Sequence, residues 1–388
     1  MAGPSWRRRK PPETDVPVRI DEVRSRRDLD RFITLPPKFH QGHANWLPPI
    51  YAEDRWFFDS KKNPSFKHDD TLLLLAYRDR EPVGRIMGIV PRRANEIHGE
   101  KNGRFGFLEC EDDREVAHAL LQAVEQWARR LGLARIVGPM GFSDQDPEGF
   151  MVEGFEETPT IACTYNLDSM NRLVIGEGYR KEIDYVVYSI PVPEEMPPDQ
   201  LRVIDRIARR GNFRIVEFSK KKELKPLVRP ILDLMNECFR DIYGYAALDA
   251  EEMQALAKRY LPVLDPRFLK IVVDKEEVIS GFIIGIPNFT EGIRKAKGRL
   301  FPFGLIRILR ASKRARQLDL LLGGVKERYR GRGVEVMLGL KIVESAKEAG
   351  YVRLDSHREL EDNLKVRAAM EHWGGVVYKR FRVYVKDL

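Results

Sequence analysis

Apolar and polar positions along this chain fall into two similar series of elements. In the first, residues 72–76 and 83–90 read as the arms of a hairpin turning at Glu81 and Pro82, and residues 104–110 add a third strand. Residues 115–131 read as a helix: Ala117, Leu120, Leu121, Val124 and Ala128 form one stripe, and Gly132 follows as a stop. A short apolar run, 134–138, then reads as a buried strand. The second series opens with helices over 227–239 and 250–260 and a hairpin of 268–273 with 278–286. An apolar strand over 318–325 leads into a glycine-containing turn. Beyond the turn, Val336, Leu340 and Val343 recur at helical spacing until Gly350 closes the segment. A short strand, 352–355, a helix over 363–373 and an alternating strand over 376–385 complete the chain.

The two series share a register. Asn166 and Leu167 are followed by Gly178, and Asn363 and Leu364 by Gly375 at the same spacing, each glycine preceding a Tyr- and Val-rich strand. This predicts an internal duplication. The Pro-rich stretch 190–198 reads as the linker, giving a basic arm over 1–20, a first domain over 21–190 and a second over 191–388.

The halves differ at the turn between strand and helix. The second carries Arg328, Tyr329, Arg330, Gly331, Arg332 and Gly333, with Val325 ending the strand before it and Val334 opening the helix after it. Two glycines let backbone amides crowd together, a helix N-terminus supplies donors and positive dipole, and three arginines add charge, which suits a pyrophosphate. The spacing is neither the three-glycine dinucleotide fingerprint nor a Walker loop. At the matching place the first half has Glu111, Asp112 and Asp113, which repel such an anion by ~1–4 kcal/mol per close charge pair. Only the second half is expected to bind it.

Composition narrows the setting. Lys and Arg total 67 against 59 Asp and Glu, a net charge of +8, which suits an anionic ligand or surface and is too diffuse to argue for nucleic acid. Three separated cysteines, Cys110, Cys163 and Cys238, suggest neither disulfides nor a metal site and fit a reducing compartment, the cytoplasm. The basic cluster Arg7–Arg8–Arg9–Lys10 is followed by Pro11 and Pro12 rather than an apolar stretch, so no secretion signal is read. No apolar run approaches the ~18–20 residues needed to span a bilayer.

Two segments depart from the duplicated pattern. The first half carries a long loop, Gly138 to Asn166, whose Asp144, Asp146 or Glu153 could attract an amine; its other reading is packing between the halves. The second carries residues 289–316, with nine Lys or Arg and one acid, Glu291, interleaved with Leu300, Phe301, Phe303, Leu305, Ile306, Ile308 and Leu309. That mixture suits a membrane interface, a lid over a long acyl chain, or a helix with one packed face and one solvated basic face.

The R-x-x-G-x-G of Arg328, Gly331 and Gly333, followed by a helix, strand, helix and strand, resembles motif A of the GNAT acyltransferase superfamily. The resemblance implies a mixed α/β (α+β) fold of two tandem GNAT-like acyl-CoA N-acyltransferase domains, with mixed central sheets flanked by helices. The co-substrate it implies is acyl-CoA or acetyl-CoA, held by Val325, Arg328 to Val334 and Asn363, with no metal. The whole-chain pattern, including Gly138 to Ser143, Gly154–Phe155, Leu300 to Gly304 and Glu361 to Asn363, resembles a bacterial tandem-GNAT family that includes acyl-CoA-dependent ceramide synthases. That implies a lipid amine acceptor and contact with a membrane through residues 289–316. The position usually held by the family's Tyr acid, four before Gly374, is Met370. Asp319 and His357 are the candidate bases, a His of ordinary pKa ~6.5 being matched to neutral pH. Their bland alternatives are an ion pair of Asp319 with Arg316 and an exposed loop position for His357. Other readings are a small-molecule amine acetyltransferase, a Fem-like aminoacyltransferase, against which the intact turn speaks, and a non-catalytic acyl-CoA sensor.

Overall fold

The computed structural model describes residues 16–161, 163 and 165–388. The Arg7–Lys10 cluster lies outside them. The strands, in chain order, are β1 (Arg19–Glu22), β2 (Asp70–Arg78), β3 (Glu81–Val90), β4 (Asn102–Cys110), β5 (Arg135–Gly138), β6 (Phe150–Glu153), β7 (Arg180–Pro191), β8 (Phe213–Val216), β9 (Leu269–Asp274), β10 (Ile279–Pro287), β11 (Gln317–Val325), β12 (Arg353–Leu360) and β13 (Val376–Asp387). β1 begins at Arg19, inside the stretch that composition reads as a basic arm.

All thirteen strands join one sheet in the order β1-β2-β3-β4-β5-β13-β7-β12-β11-β10-β9-β8, with β6 beside β13. Two ladders in it are parallel, β4/β5 and β11/β12. The order is nearly a mirror image about its centre. β2 to β5 on one side match β9 to β12 on the other, and the two final strands, β7 and β13, pair with each other between them. They are exchanged: β13 of the second half lies against β5 of the first, and β7 of the first lies against β12 of the second. The linker therefore leaves β7 from the middle of the sheet and enters a helix, Pro198–Arg210.

Each half covers its sheet with the helix that follows its parallel strand. Asp113 caps Arg114–Arg130 by accepting from the amides of Glu115 and Val116, and the stripe Val116, Ala117, Leu120, Leu121, Val124 and Ala128 is buried against Leu74, Ala76, Val83 and Ile86. Val334–Glu348 buries Leu340, Ile342, Val343 and Ala346 in the same relation to the second half. Each such aliphatic side chain contributes roughly 1.5–3 kcal/mol when fully buried. The helical period read from sequence is thus the packing face in the first half; in the second, Leu340 and Val343 are buried but Val336 is only half-buried, and Val334, Met337 and Leu338 pack instead.

Candidate active site

The second half opens a cleft between its two parallel strands. β11 and β12 pair over Gln317–Arg353, Leu318–Leu354 and Asp319–Asp355, and then part. Beyond that point β11 follows β10 to Val325, while β12 follows β7 to Leu360. Where they part, Ile284 pairs with Leu322 and Gly285 with Leu320, leaving Leu321 as a bulge. The first half has the same device. β4 and β5 pair only over Asn102–Arg135, Gly103–Ile136 and Arg104–Val137, and β4 is irregular opposite Arg85 and Met87, with Phe107 at φ 53°.

At the outer end of β11, Glu327–Tyr329 form one 3₁₀ turn, and Gly331 and Gly333 adopt φ 71° and 94°, conformations that side-chain-bearing residues rarely hold. Gly333 is the N-cap of Val334–Glu348 and offers no capping side chain, so the first-turn amides stay directed outward. Gly331 N–H donates to Glu335 Oε1 at 3.0 Å. Arg330 Nε donates to the Val325 carbonyl at 3.1 Å, and Arg328 lies 4.6 Å over the Tyr329 ring, whose hydroxyl donates to Asp274. Arg332 is exposed. The helix Pro198–Arg210 closes over this turn: a Cβ on Gly333 would meet Ile207 Cδ1 at 2.2 Å. Asn363 caps the helix Leu364–His372, accepting from Val366 N–H at 3.4 Å.

The corresponding turn of the first half is already filled by its own carboxylates. Asp113 holds two helix amides and pairs with Arg78 at 2.8 Å, Asp112 pairs with Arg172 at 2.9 Å, and Glu111 with Lys38 at 3.1 Å. The donors that face outward in the second half are here satisfied internally.

At the apex of the cleft, Asp319 and Asp355 are direct partners in the parallel register, both buried and both on the sheet face away from Val334–Glu348. Asp319 makes no ion pair with Arg316. It accepts from Asn288 Nδ2 at 2.9 Å and from Gln317 Nε2 at 2.7 Å. Burial, and then the charge of Asp355, hold its carboxyl well above the usual carboxylate range. Asp355 accepts from the Tyr378 hydroxyl and from His357 N–H (2.9 Å), and the fully buried Lys379 lies 3.9 Å away. Asp355 is therefore the partner held by a cation and a hydroxyl, and Asp319 the one with a raised pKa.

His357 is not in an exposed loop. It is a half-buried residue within β12, at a bulge where its φ is 64°, and burial with the neighbouring Arg358 cation pushes its imidazole down to about 3. That leaves it neutral and a weak base at neutral pH.

Arg358 is the next residue after Asp355 on the same face, since Asp355 pairs with Ser189 and Arg358 with Val187. Its guanidinium donates to the carbonyls of Glu148 (2.9 Å) and Asp146 (3.0 Å). The long loop of the first half is thereby held against β12 of the second, which is the packing between halves that was one of its two readings. Asp146 ties the loop to itself through the amides of Phe142 and Ser143, and Glu153 pairs with Arg380 at 3.3 Å.

Residues 289–316 form two packed helices, Thr290–Ala296 and Gly304–Ser312. Ile293, Ala296 and Ile308 are buried, whereas Phe301 is 88% and Phe303 62% exposed, and Leu305, Ile306 and Leu309 also face outward. Phe301 and Phe303 border a groove of about 1330 Å³ whose other wall includes Trp46 and Tyr51. Thr290 Oγ1 donates to the Pro159 carbonyl, and Asn288, two residues earlier, holds Asp319, so the segment starts at the cleft apex.

Sequence reasoning missed Asp355, Tyr378, Lys379 and Arg358. A signal for Asp355 was present, because Gln317-Leu318-Asp319 and Arg353-Leu354-Asp355 repeat a polar-Leu-Asp pattern at the starts of two adjacent strands. Lys379 had none, because its place inside the sheet depends on the strand exchange.

No protein-family model matches the chain. Over 384 residues it is 29% identical to a bacterial ceramide synthase of Caulobacter vibrioides (strain NA1000 / CB15N), spanning 97% of this chain and 99% of that protein. Over 371 residues it is 25% identical to Protein YghO of Escherichia coli (strain K12), spanning 94% of each. Among solved structures, a tandem GNAT protein from the clavulanic acid biosynthesis pathway is similar at TM-score 0.55 and 11% identity, over 95% of this chain and 98% of that one. The chain thus has the fold of a tandem GNAT protein. In sequence the chain resembles the bacterial ceramide synthase along its whole length.

Proposed function

We propose that this protein is an acyl-CoA-dependent N-acyltransferase that passes a long acyl chain to a sphingoid-base-like lipid amine. The observation that carries the reading is that the cleft between β11 and β12 joins an anion-receptive turn, with the uncapped first-turn amides of Val334–Glu348, to a buried carboxylate with a raised pKa, Asp319, at its apex. Arg328, Arg330 and Arg332 supply charge for the CoA phosphates, and Val325 ends the strand beside which the thioester arm lies.

In the transfer, the amine nitrogen attacks the thioester carbonyl carbon, the C–N bond forms, and the C–S bond breaks. Ionised Asp319 takes the ammonium proton, its raised pKa being suited to a base working near neutrality. The nitrogen's second proton, lost as the amide forms, passes through solvent to the CoA thiolate, whose thiol has an ordinary pKa of ~8.5. His357, neutral beside Arg358, is a polar wall of the cleft.

The similarity to the ceramide synthase supports the lipid acceptor, and the exposed Phe301 and Phe303 beside a large groove support a membrane-facing entrance. No helix among the described residues is long and apolar enough to cross a membrane, so contact there would be peripheral. The experiment is transfer from acyl-CoAs of graded length to sphinganine and to small amines, followed by thiol release and product mass. Long-chain amide formation is expected. Preference for acetyl-CoA and small amines would replace the lipid reading with an acetyltransferase, and acyl-CoA binding without thiol release would leave a sensor.

A further inference from the structure

Four buried polar atoms gather where the first half's loop meets β12: Asp144 Oδ1, Glu148 Oε2, the Tyr185 hydroxyl and Arg358 Nε have no hydrogen-bond partner among the described residues. Buried polar atoms are usually paired, because leaving one unmade costs roughly 1–3 kcal/mol. The cause is visible in the contacts. Arg104 grips one end of the loop through the carbonyls of Gly141 and Phe142 (3.1 and 2.8 Å), and Arg358 grips the other through those of Asp146 and Glu148. Both guanidinium groups point their donors at backbone, not at carboxylates. Glu148, only 4% exposed, comes no closer than 3.7 Å to Arg358, and Asp144 has one oxygen bonded to Gln145 (2.9 Å) and one bare.

The charge count agrees with the unmade bonds. Asp144 and Glu148 together outweigh Arg358 by one negative charge, and burial pushes the two carboxyls up to about 7 and about 8, with Asp146 adding to the rise of Asp144 and Asp144 to that of Glu148. A cation carrying several N–H donors would satisfy the bare carboxylate oxygens of this cluster. The position of the cluster is as informative as its charge. Arg358 follows Asp355 on the cleft face of β12, two ladder steps past the point where the strands part. At ~3.3 Å per residue and ~4.8 Å between strands, its Cα lies on the order of 10 Å from that of Asp319.

Resting on the N-acyltransferase reading, we propose that Asp144 and Glu148, with the Tyr185 hydroxyl, form the site that receives the acceptor's ammonium group, so that the first half of the chain supplies acceptor recognition to the second half's cleft. A primary ammonium has three donors for the two bare carboxylate oxygens and the hydroxyl. Its binding would expel the protons the carboxyls hold when the site is empty. The same arrangement disfavours a neutral alcohol, which brings one donor and no charge. Glu148 and Asp144 are then specificity-determining: they receive the ammonium before it moves to the cleft apex, where Asp319 takes its proton.

The test uses the full chain with long-chain acyl-CoA and dodecylamine as acceptor. Glu148→Gln and Asp144→Asn should each raise KM for dodecylamine roughly 10- to 100-fold, the size of one charge-assisted hydrogen bond, while the Kd for acyl-CoA and the inhibition constant of dodecan-1-ol stay about the same. A structural disturbance would shift all three together and would overturn the proposal, as would an unchanged KM. If either variant fails to fold, the wild-type chain carries the test: N,N-dimethyldodecylamine, a cation that forms no stable amide, should inhibit at least about tenfold more tightly than dodecan-1-ol. Equal inhibition overturns the ammonium site while leaving the transferase reading intact. A wild-type chain that acylates no amine overturns both.

Discussion

Asp319 and Asp355 face each other across the last paired step of β11 and β12, yet their surroundings differ: Tyr378, Lys379 and the His357 amide attend Asp355, while Asp319 accepts its hydrogen bonds from the neutral Asn288 and Gln317. Burial beside a second carboxylate holds Asp319 above the usual carboxylate range, which suits it to act as a base near neutrality. Asp319→Asn should therefore lower kcat by about 10²- to 10⁴-fold with little change in the Kd for acyl-CoA. Only the ionised form accepts a proton, so wild-type kcat/KM should climb with pH through a range above the ordinary carboxylate value. Stopped assays across pH on both proteins measure this; an Asn variant retaining full kcat would remove Asp319 from the chemistry.

Glu335 occupies a donor that the cofactor turn is proposed to offer, through the 3.0 Å bond from Gly331 N–H. Glu335→Ala frees that amide and removes a negative charge, so acyl-CoA should bind several-fold more tightly, about 1 kcal/mol at this exposed position. Gly331→Glu should weaken binding instead, by strain at φ 71° and by repulsion rather than by collision, since no atom lies within 4 Å of its added Cβ. Titration calorimetry should also return one site per chain, because Asp113, Asp112 and Glu111 already fill the first half's turn.

Much of this was legible in the chain's pattern, and the part that was not has a physical explanation. Stripes such as Ala117-Leu120-Leu121-Val124 announce a helix because burial and period coincide locally. Asn166 and Asn363 announce the duplication, although only Asn363 caps a helix; Asn166 is buried and bonds the backbone of Met151. Strand exchange leaves no local trace, since β7 and β13 have the same alternation whichever half they complete. For that reason Lys379, an ordinary surface residue by composition, is found buried beside Asp355. The helix Pro198–Arg210 and the short strand β8 went unread behind the proline-rich linker although Leu201, Ile204 and Ile207 stand at helical spacing and Phe213, Ile215 and Val216 are apolar.

The loop acids make stability depend on pH. Glu148 ordinarily titrates near 4.5, and burial raises it to about 8 against the opposing pull of Arg358 and Arg104, with Asp144 adding to the rise and Tyr185 opposing it. The folded chain then holds a proton that the unfolded chain releases. Its stabilisation is complete below the ordinary value and is lost as pH rises toward 8, by up to about 1.4 kcal/mol per pH unit. Denaturant melts from pH 5 to 9 should fall along this slope in wild type and more shallowly in Glu148→Gln. Parallel slopes would mean that Glu148 is ionised in the folded chain.

The exchanged strands make the halves one cooperative unit. β13 supplies a neighbour to β5 and β6 of the first half as well as to β7, and Phe381, Val383 and Val385 are buried there. A chain ending at residue 375 should lose the first half's packing as well as the second's, whereas independent domains would leave the first folded. Limited proteolysis checks it: a protected fragment covering residues 16–190 would contradict the dependence.

The proposed membrane contact rests on a contradiction between the two sides of the segment 289–316. Its inner side is a normal core, with Ile293, Ala296 and Ile308 buried, so the helices need no bilayer to fold. Its outer side places Phe301 and Phe303 in solvent, next to Arg299 and Arg307 at the rim of the groove. Aromatic and aliphatic groups ringed by cations gain on entering an anionic interface, at ~25 cal/mol per Å² of apolar surface and about 1 kcal/mol per basic residue near the headgroups. The quadruple change of Phe301, Phe303, Leu305 and Ile306 to Ser removes the first contribution and leaves the second. Sedimentation with anionic vesicles should then fall by roughly tenfold or more, the melting temperature should hold because none of the four is in the core, and the remaining binding should vanish at high salt. Donor selectivity separates the two uses of the same residues. If the groove also covers the acyl chain, KM for long-chain acyl-CoA rises in the variant even in detergent solution, where no bilayer is present, while acetyl-CoA binding at the Gly331 turn is unchanged. A variant that sediments like the parent would remove the membrane reading and leave the exposed phenylalanines without a partner.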